Sequence, residues 1–191
     1  MNGINIAWIL WGVWYAYWIV SARKRIRSTE QSQAKRESMS GRLVYTVLMI
    51  GGFVLLIWHF PQPALAKQLW PSAGAWLAAG LVVEIAGLAF AIWARHTLGT
   101  NWTGRITTGG SQELIMRGPY RIVRHPIYTG FLFAVLGTAI VIGRVRGFVG
   151  LAIFLVSILI KLRREEAALR EHFGSAYEDY ARRVSLLLPG I

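Results

Sequence analysis

RHPIYTGFLFAVLGTAIVIGRVRGFVGLAIFLVSILIKLRREE, residues 124–166, reads as two apolar helices folded back on a short basic turn. Residues 127–142 and 148–162 are separated only by GRVRG at 143–147, so a tight antiparallel helical hairpin is predicted. Each arm is shorter than the roughly 17 residues of a minimal span, so a full bilayer crossing does not follow from length. Folding brings the polar ends of the stretch together. With the turn centred near residue 145, His125 comes level with Glu165 and Arg124 with Glu166.

Upstream lie three further apolar segments, 4–20 (INIAWILWGVWYAYWIV), 43–60 and 76–94. With 54% hydrophobic residues, nine tryptophans and a mean hydropathy of +0.43, the 191-residue chain is too apolar for an ordinary soluble domain. The expected fold class is all-α: a polytopic integral membrane protein of about five transmembrane helices. Residues 1–94 would supply three spans and a basic inner loop. Residues 95–191 would supply a long loop, the hairpin and a C-terminal segment, all within one domain. From 163 onward an amphipathic helix is predicted, with Leu162, Leu169, Phe173, Tyr177, Tyr180 and Val184 on one face, lying along the inner membrane surface.

The net charge of +12 follows the topology. If the N-terminus is outside, 18 of the 21 Lys and Arg residues fall on inner segments, and only Lys67, Arg144 and Arg146 lie outside. This split points to membrane lipids as neighbours and not to nucleic acid, and it sets the polar site on the cytoplasmic side. The run at 4–20 lacks a basic n-region and is followed by positive charge, so it is expected to be a retained anchor. With no cysteine, disulfides, thiolate nucleophiles and Cys-ligated metals are excluded, and no metal site is assigned.

RGPYRIVRHPIYTG (117–130) holds Pro119 and Pro126, which restrict the backbone before them, and Pro126 suits the first turn of the helix it opens. Together, paired carboxylates, an imidazole, guanidiniums and tyrosine rings can bind a ligand bearing ammonium, carboxylate, ribose, adenine and sulfonium groups. S-adenosylmethionine has all of these. Plainer readings stand beside this one: Glu165 and Glu166 next to Arg163 and Arg164 as a solvated helix start, Arg117 and Arg121 snorkelling to phosphates, His125 as a structural histidine.

GPYRIVRHPIYTG (118–130) followed by EEAALREHFGSAYEDYARRV (165–184) resembles the paired signature of the isoprenylcysteine carboxyl methyltransferase family, to which phospholipid methyltransferases are related. LGTNWTGRI (98–106) and FGSAYEDY (173–180) fit the same pattern, so the resemblance covers about half the chain. It implies a helical membrane enzyme that binds S-adenosylmethionine beneath its C-terminal segment and takes a lipophilic or prenylated acceptor from the bilayer. On the family's cofactor motif fall Gly118, Pro119, Tyr120, His125, Pro126, Tyr128, Glu165 and Glu166. Arg121 and Arg124, beside the motif, are candidates for orienting a carboxylate of acceptor or cofactor. Glu166 or His125 is the candidate base should the acceptor need deprotonation.

No GxGxxG turn after a strand is present, so a soluble Rossmann-type methyltransferase scaffold is not indicated. Two other readings predict different ligands. A sterol-reductase-like enzyme, sharing an HPxYxG segment, would bind NADPH, and a membrane scaffold would bind lipid head groups with salt-sensitive affinity. Glu84, within an apolar segment, is read either as a functional acid or as a residue that is protonated or bonded to a neighbouring helix. His96, Asn101 and Trp102 are candidates for the site's entrance, and His59 for a membrane interface.

Overall fold

The computed structural model describes residues 3–26, 39–58, 61–99 and 113–190. The elements are α1 (Gly3–Ile26), α2 (Met39–Ile57), α3 (Pro63–Ala66), α4 (Gly74–Leu98), α5 (Pro126–Ile142), α6 (Val145–Phe173) and α7 (Ser175–Arg183). A 3-10 turn at Gly118–Arg121 precedes α5. Pairing among the described residues outside these helices includes two single-residue bridges, Gln68 with Arg144 and Val123 with Ser185.

Each predicted apolar segment lies in a helix, except that 43–60 runs past the end of α2 at Ile57 and its residues 59 and 60 are outside the described residues; there is also one difference in kind. Gly3–Ser21, α4 and α6 are long and apolar enough to cross a membrane, whereas Arg42–Ile57 and α5 are shorter apolar helices. The hairpin turn is tighter than GRVRG. Only Gly143, at φ 60°, and Arg144 separate the helices, because Val145 to Gly147 join α6. The tail also departs from the expected separate helix beginning at 163. KLRREEAALREH holds strong helix formers and no breaker, so α6 continues through it and stops only at Gly174, at φ 53°.

Two close helix crossings set the bundle. Gly80 and Gly87 of α4 meet Gly137 and Gly130 of α5; a Cβ at Gly87 would sit 2.5 Å from Gly130 O, and one at Gly137 would sit 2.4 Å from Glu84 N. Backbones thus touch, as small residues permit between membrane helices. Antiparallel α2 and α6 approach through Gly52 and Gly150 in the same manner. The tryptophans of α1 serve as packing groups: Trp11, Trp14 and Trp18 surround Phe131 of α5.

At one end of the bundle, the segment before α4 fastens the hairpin turn. Trp70 Nε1 donates to Ile140 O at 2.8 Å, Ser72 Oγ to Ile142 O at 3.1 Å and Leu69 N to Gly143 O at 2.8 Å. Arg146 is more than an outer-loop cation. Buried, it donates to the carbonyls of Leu55, Leu56 and Trp58 at 2.8, 2.5 and 3.1 Å, satisfying the end of α2.

The opposite end gathers the C-termini of α1, α4 and α6 with the N-termini of α2 and α5. Arg95 NH2, near the end of α4, donates to Ser21 O at 3.2 Å, and Lys161 lies against rings of α2 and α5. Mid-bundle, Glu84 is fully buried. Its Oε2 meets Thr138 Oγ1 at 3.2 Å, and that oxygen accepts from Trp11 Nε1 at 2.9 Å. The second of its two readings, a bond to a neighbouring helix, is the geometry observed.

Candidate active site

The loop between the 3-10 turn and α5 supplies the first half of the site. Gly118, at φ 60°, starts the turn, and Pro119 O accepts from Ile122 N at 3.0 Å and Val123 N at 3.2 Å. Pro126 opens α5, placing His125 at its N-cap and Tyr128 on its first turn. From the other arm come Glu165 and Glu166, one helical turn after Lys161.

Folding joins the two as the hairpin register implies: Arg124 meets Glu166 as expected, while His125 meets Glu166 and not Glu165. His125 Nε2 lies 2.7 Å from Glu166 Oε1, Arg124 NH2 lies 3.3 Å from Glu166 Oε2, and Tyr128 donates to Glu165 Oε2 at 2.9 Å. Glu166 is buried and also accepts from Tyr177 at 2.5 Å and Arg170 at 3.0 Å. Since its carboxylate can only accept, Nε2 of His125 carries the hydrogen in this pair. Burial and the Glu166 carboxylate both push the Tyr177 phenol upward, so it stays protonated as the donor.

α7 and the segment after it cover this junction. Tyr180 donates to Tyr120 O at 2.6 Å, and Arg124 NH1 donates to Ala181 O at 2.8 Å. Beyond α7 the chain runs beside the loop: Arg124 N donates to Ser185 O at 2.8 Å, His125 N to Leu186 O at 3.2 Å, and Thr129 Oγ1 to Leu187 O at 2.7 Å. Neither this strap nor its partners carry a sequence period that would have revealed them. Burial raises the phenols of Tyr120 and Tyr180 as well.

A cavity of about 830 Å³ occupies the centre of the arrangement. One end, between α1, α2, α5 and α6, is lined by Trp8, Trp11, Trp14, Phe53, Phe131 and Phe154; the other is lined by Tyr120, Arg124, His125, Tyr128, Glu165, His172, Tyr177 and Tyr180. The α6 lining follows one helical stripe, Phe154, Ser157, Ile158, Lys161, Glu165, Leu169 and His172, which passes from apolar to polar along its length.

Of the sequence candidates, Tyr120, Arg124, His125, Pro126, Tyr128 and Glu165 line this cavity. Gly118 and Pro119 shape the loop behind it, and Arg121 is exposed outside it. Glu166 also stands behind the wall, bordering a separate cavity of about 430 Å³ with Arg124, Arg163 and Arg170. His96 is exposed on the last turn of α4, while His59, Asn101 and Trp102 lie outside the described residues. Among the described residues no cluster of three or more His, Cys, Asp or Glu side chains suits a metal ion.

The chain is similar to known proteins. It is 36% identical over 115 residues to a probable protein-S-isoprenylcysteine O-methyltransferase of Oryza sativa subsp. indica, a match covering 59% of this chain and 60% of that protein. It is 33% identical over 138 residues to a methanethiol S-methyltransferase of Mycobacterium tuberculosis, covering 70% of this chain and 53% of the relative. The fold matches the solved structure of the eukaryotic intramembrane Ras methyltransferase, isoprenylcysteine carboxyl methyltransferase, with TM-score 0.56 and 28% identity over 81% of this chain and 55% of that one. The chain thus spans between half and two thirds of the length of these proteins, and with its membrane-length helices it is an integral membrane protein. Residues 75–176, from α4 through the loop and hairpin to the start of α7, match the phospholipid methyltransferase model, and the chain belongs to that family.

Proposed function

We propose that the chain is an S-adenosylmethionine-dependent membrane methyltransferase acting on a lipophilic acceptor, most simply a carboxylate such as that of a prenylated cysteine. The supporting observation is the continuity of the cavity: an aromatic, apolar section at bundle depth runs into a polar section closed by α7. At about 830 Å³ it falls in the upper range for ligand sites and has room for a donor together with a long apolar chain.

The residues present fit the donor. Glu165, with one oxygen already engaged by Tyr128, offers its other oxygen to an ammonium or ribose hydroxyls. Tyr120, Tyr177 and Tyr180 present rings to an adenine or a cationic sulfur. When bound, S-adenosylmethionine supplies a methyl group on a positively charged sulfur, which keeps the bonding electron pair as the methyl moves to an acceptor oxygen. A carboxylate is already a nucleophile at neutral pH, so the chain's task is alignment and exclusion of water. Glu166, holding His125, Arg124, Arg170 and Tyr177, acts as a positioning residue and not as a base.

The topology proposed with this function has five crossings, the N-terminus outside and the site facing the cytoplasm. It is supported by the gathering of helix ends at the site and by the 18-to-3 distribution of basic residues. Relatives named for methanethiol favour a thiol as the second acceptor reading, although a one-carbon thiol would leave the aromatic section unfilled.

The test is calorimetric titration of the detergent-purified protein with S-adenosylhomocysteine, followed by assay of methyl transfer to S-farnesylated N-acetylcysteine and to methanethiol. Saturable binding, weakened at least about tenfold in Glu165→Gln and His125→Ala, is expected. A folded parent that binds NADPH or lipid phosphate instead overturns the reading.

A further inference from the structure

Lys161 occupies a singular place in the cavity wall. It lies on the α6 stripe between the apolar group Phe154, Ser157 and Ile158 and the polar group Glu165 and His172. Its Nζ sits 5.6 Å from the ring centroid of Tyr45 on α2 and 5.2 Å from that of Tyr128 on α5. Two rings from different helices therefore hold one ammonium at the boundary between the cavity's two sections.

Ring contacts stabilise the charge but accept none of its hydrogens in the manner of an oxygen, and an ammonium has three to donate. Among the described residues Lys161 has no carboxylate within ion-pair distance, although Glu165 follows it by one helical turn. That carboxylate is held by the Tyr128 hydroxyl, whose ring is the one Lys161 packs against. Tyr128 thus stands between a cation and an anion that a helix would otherwise bring together. Of the arginines expected to meet an acceptor carboxylate, one lies outside the cavity and the other, on its polar wall, is already paired. Arg121 is exposed, and Arg124 is engaged by Glu166 and Ala181 O.

We infer that Lys161 is the acceptor-binding cation: it receives the anionic head of an amphiphile whose tail fills the aromatic section between α1 and α2, and it turns that head toward the polar section. This rests on the methyltransferase reading and deepens it, since it names the residue that receives the acceptor's anionic head. Glu165 and Lys161 then divide the charges, the carboxylate serving the donor's cationic part and the ammonium serving the acceptor.

The experiment compares S-farnesylated N-acetylcysteine with its primary amide, which keeps the tail but loses the charge. Each is titrated into protein saturated with S-adenosylhomocysteine. The parent and Lys161→Arg should bind the carboxylate at least about tenfold more tightly than the amide, the order of a charge-assisted hydrogen bond. Lys161→Met should lose that preference while its affinities for the amide and for S-adenosylhomocysteine stay within about twofold; in turnover, KM rises more than kcat falls. The assignment is overturned if Lys161→Met keeps the preference, if the parent shows none, or if neither probe binds the loaded protein. Absence of S-adenosylhomocysteine binding by the folded parent instead removes the methyltransferase reading and this inference with it.

Discussion

Tyr177 donates its hydroxyl to Glu166 Oε1 at 2.5 Å, so the last helix is fastened to a carboxylate that does not itself line the central cavity. Tyr177→Phe keeps the ring and removes the fastening. A hydrogen bond to a charged group contributes about 1.5–3 kcal/mol, so affinity for S-adenosylhomocysteine should fall about tenfold or more. Tyr180→Phe, losing a bond to the neutral Tyr120 O, should cost less in the same titration.

The same phenol sets an alkaline limit. Burial and Glu166 raise Tyr177 above its ordinary value of 10.0, so the folded protein holds the proton more tightly than the unfolded chain. A raised value means that its contribution is whole below about pH 10, declines above that, and is gone once the pH passes the folded value. Lid closure by Tyr177 should therefore persist at pH 9 to 10, where an exposed phenol begins to ionise. Binding measured against pH should show an alkaline fall that is smaller in Tyr177→Phe.

The adjacent carboxylates should separate into two phenotypes. Glu165→Gln alters the cavity wall and should weaken S-adenosylhomocysteine binding with little loss of thermal stability. Glu166→Ala strands His125 and Arg124 in a buried setting, a change of about 3–5 kcal/mol. Melting in detergent should show a large drop for Glu166→Ala and a small one for Glu165→Gln.

Packing between α4 and α5 leaves no room for a methyl group. Gly137→Ala places a Cβ 2.4 Å from backbone and should reach or exceed the about 1–3 kcal/mol of an overpacked core. Gly51→Ala, whose Cβ would meet nothing within 4 Å, is the matched control and should melt at or above the parent temperature.

Deleting residues 185–191 removes the oxygens that receive Arg124 N, His125 N and Thr129 Oγ1. Helical content should survive, since no helix is cut, while affinity for S-adenosylhomocysteine drops at least about tenfold. Circular dichroism and calorimetry on one preparation would separate these effects.

Apolar runs announced the helices, and the polar ends of 124–166 announced the meeting of His125, Arg124 and the glutamates. The shift in partners, with His125 on Glu166 and Tyr128 on Glu165, depends on where each side chain leans and on a turn shortened to Gly143 and Arg144. Periodicity could not reveal contacts made by single residues. Arg146 capping α2, Trp70 reaching Ile140 O, and the strap at 185–187 each join distant parts of the chain through one or two hydrogen bonds. Lys161 looked like one more inner basic residue, because its setting depends on α2 lying antiparallel to α6 through Gly52 and Gly150.

Ten of the 32 residues lining the cavity, six of them tryptophan or tyrosine, come from α1 and α2, which precede the family-matched residues 75–176. On the proposed reading, part of the section that takes the acceptor's tail thus lies outside the family-matched stretch, while Lys161 and Glu165 lie within it. Of the ten, Trp8 and Met49 line the cavity wall, whereas Trp11 and Trp14 also pack on Phe131 and Trp11 donates to Thr138. Exchanging the first two helices among relatives should retune which molecules are modified while leaving the transfer machinery intact. On the proposed reading, the wall opposite the hairpin is where acceptor preference would change with least effect on the residues that hold the donor.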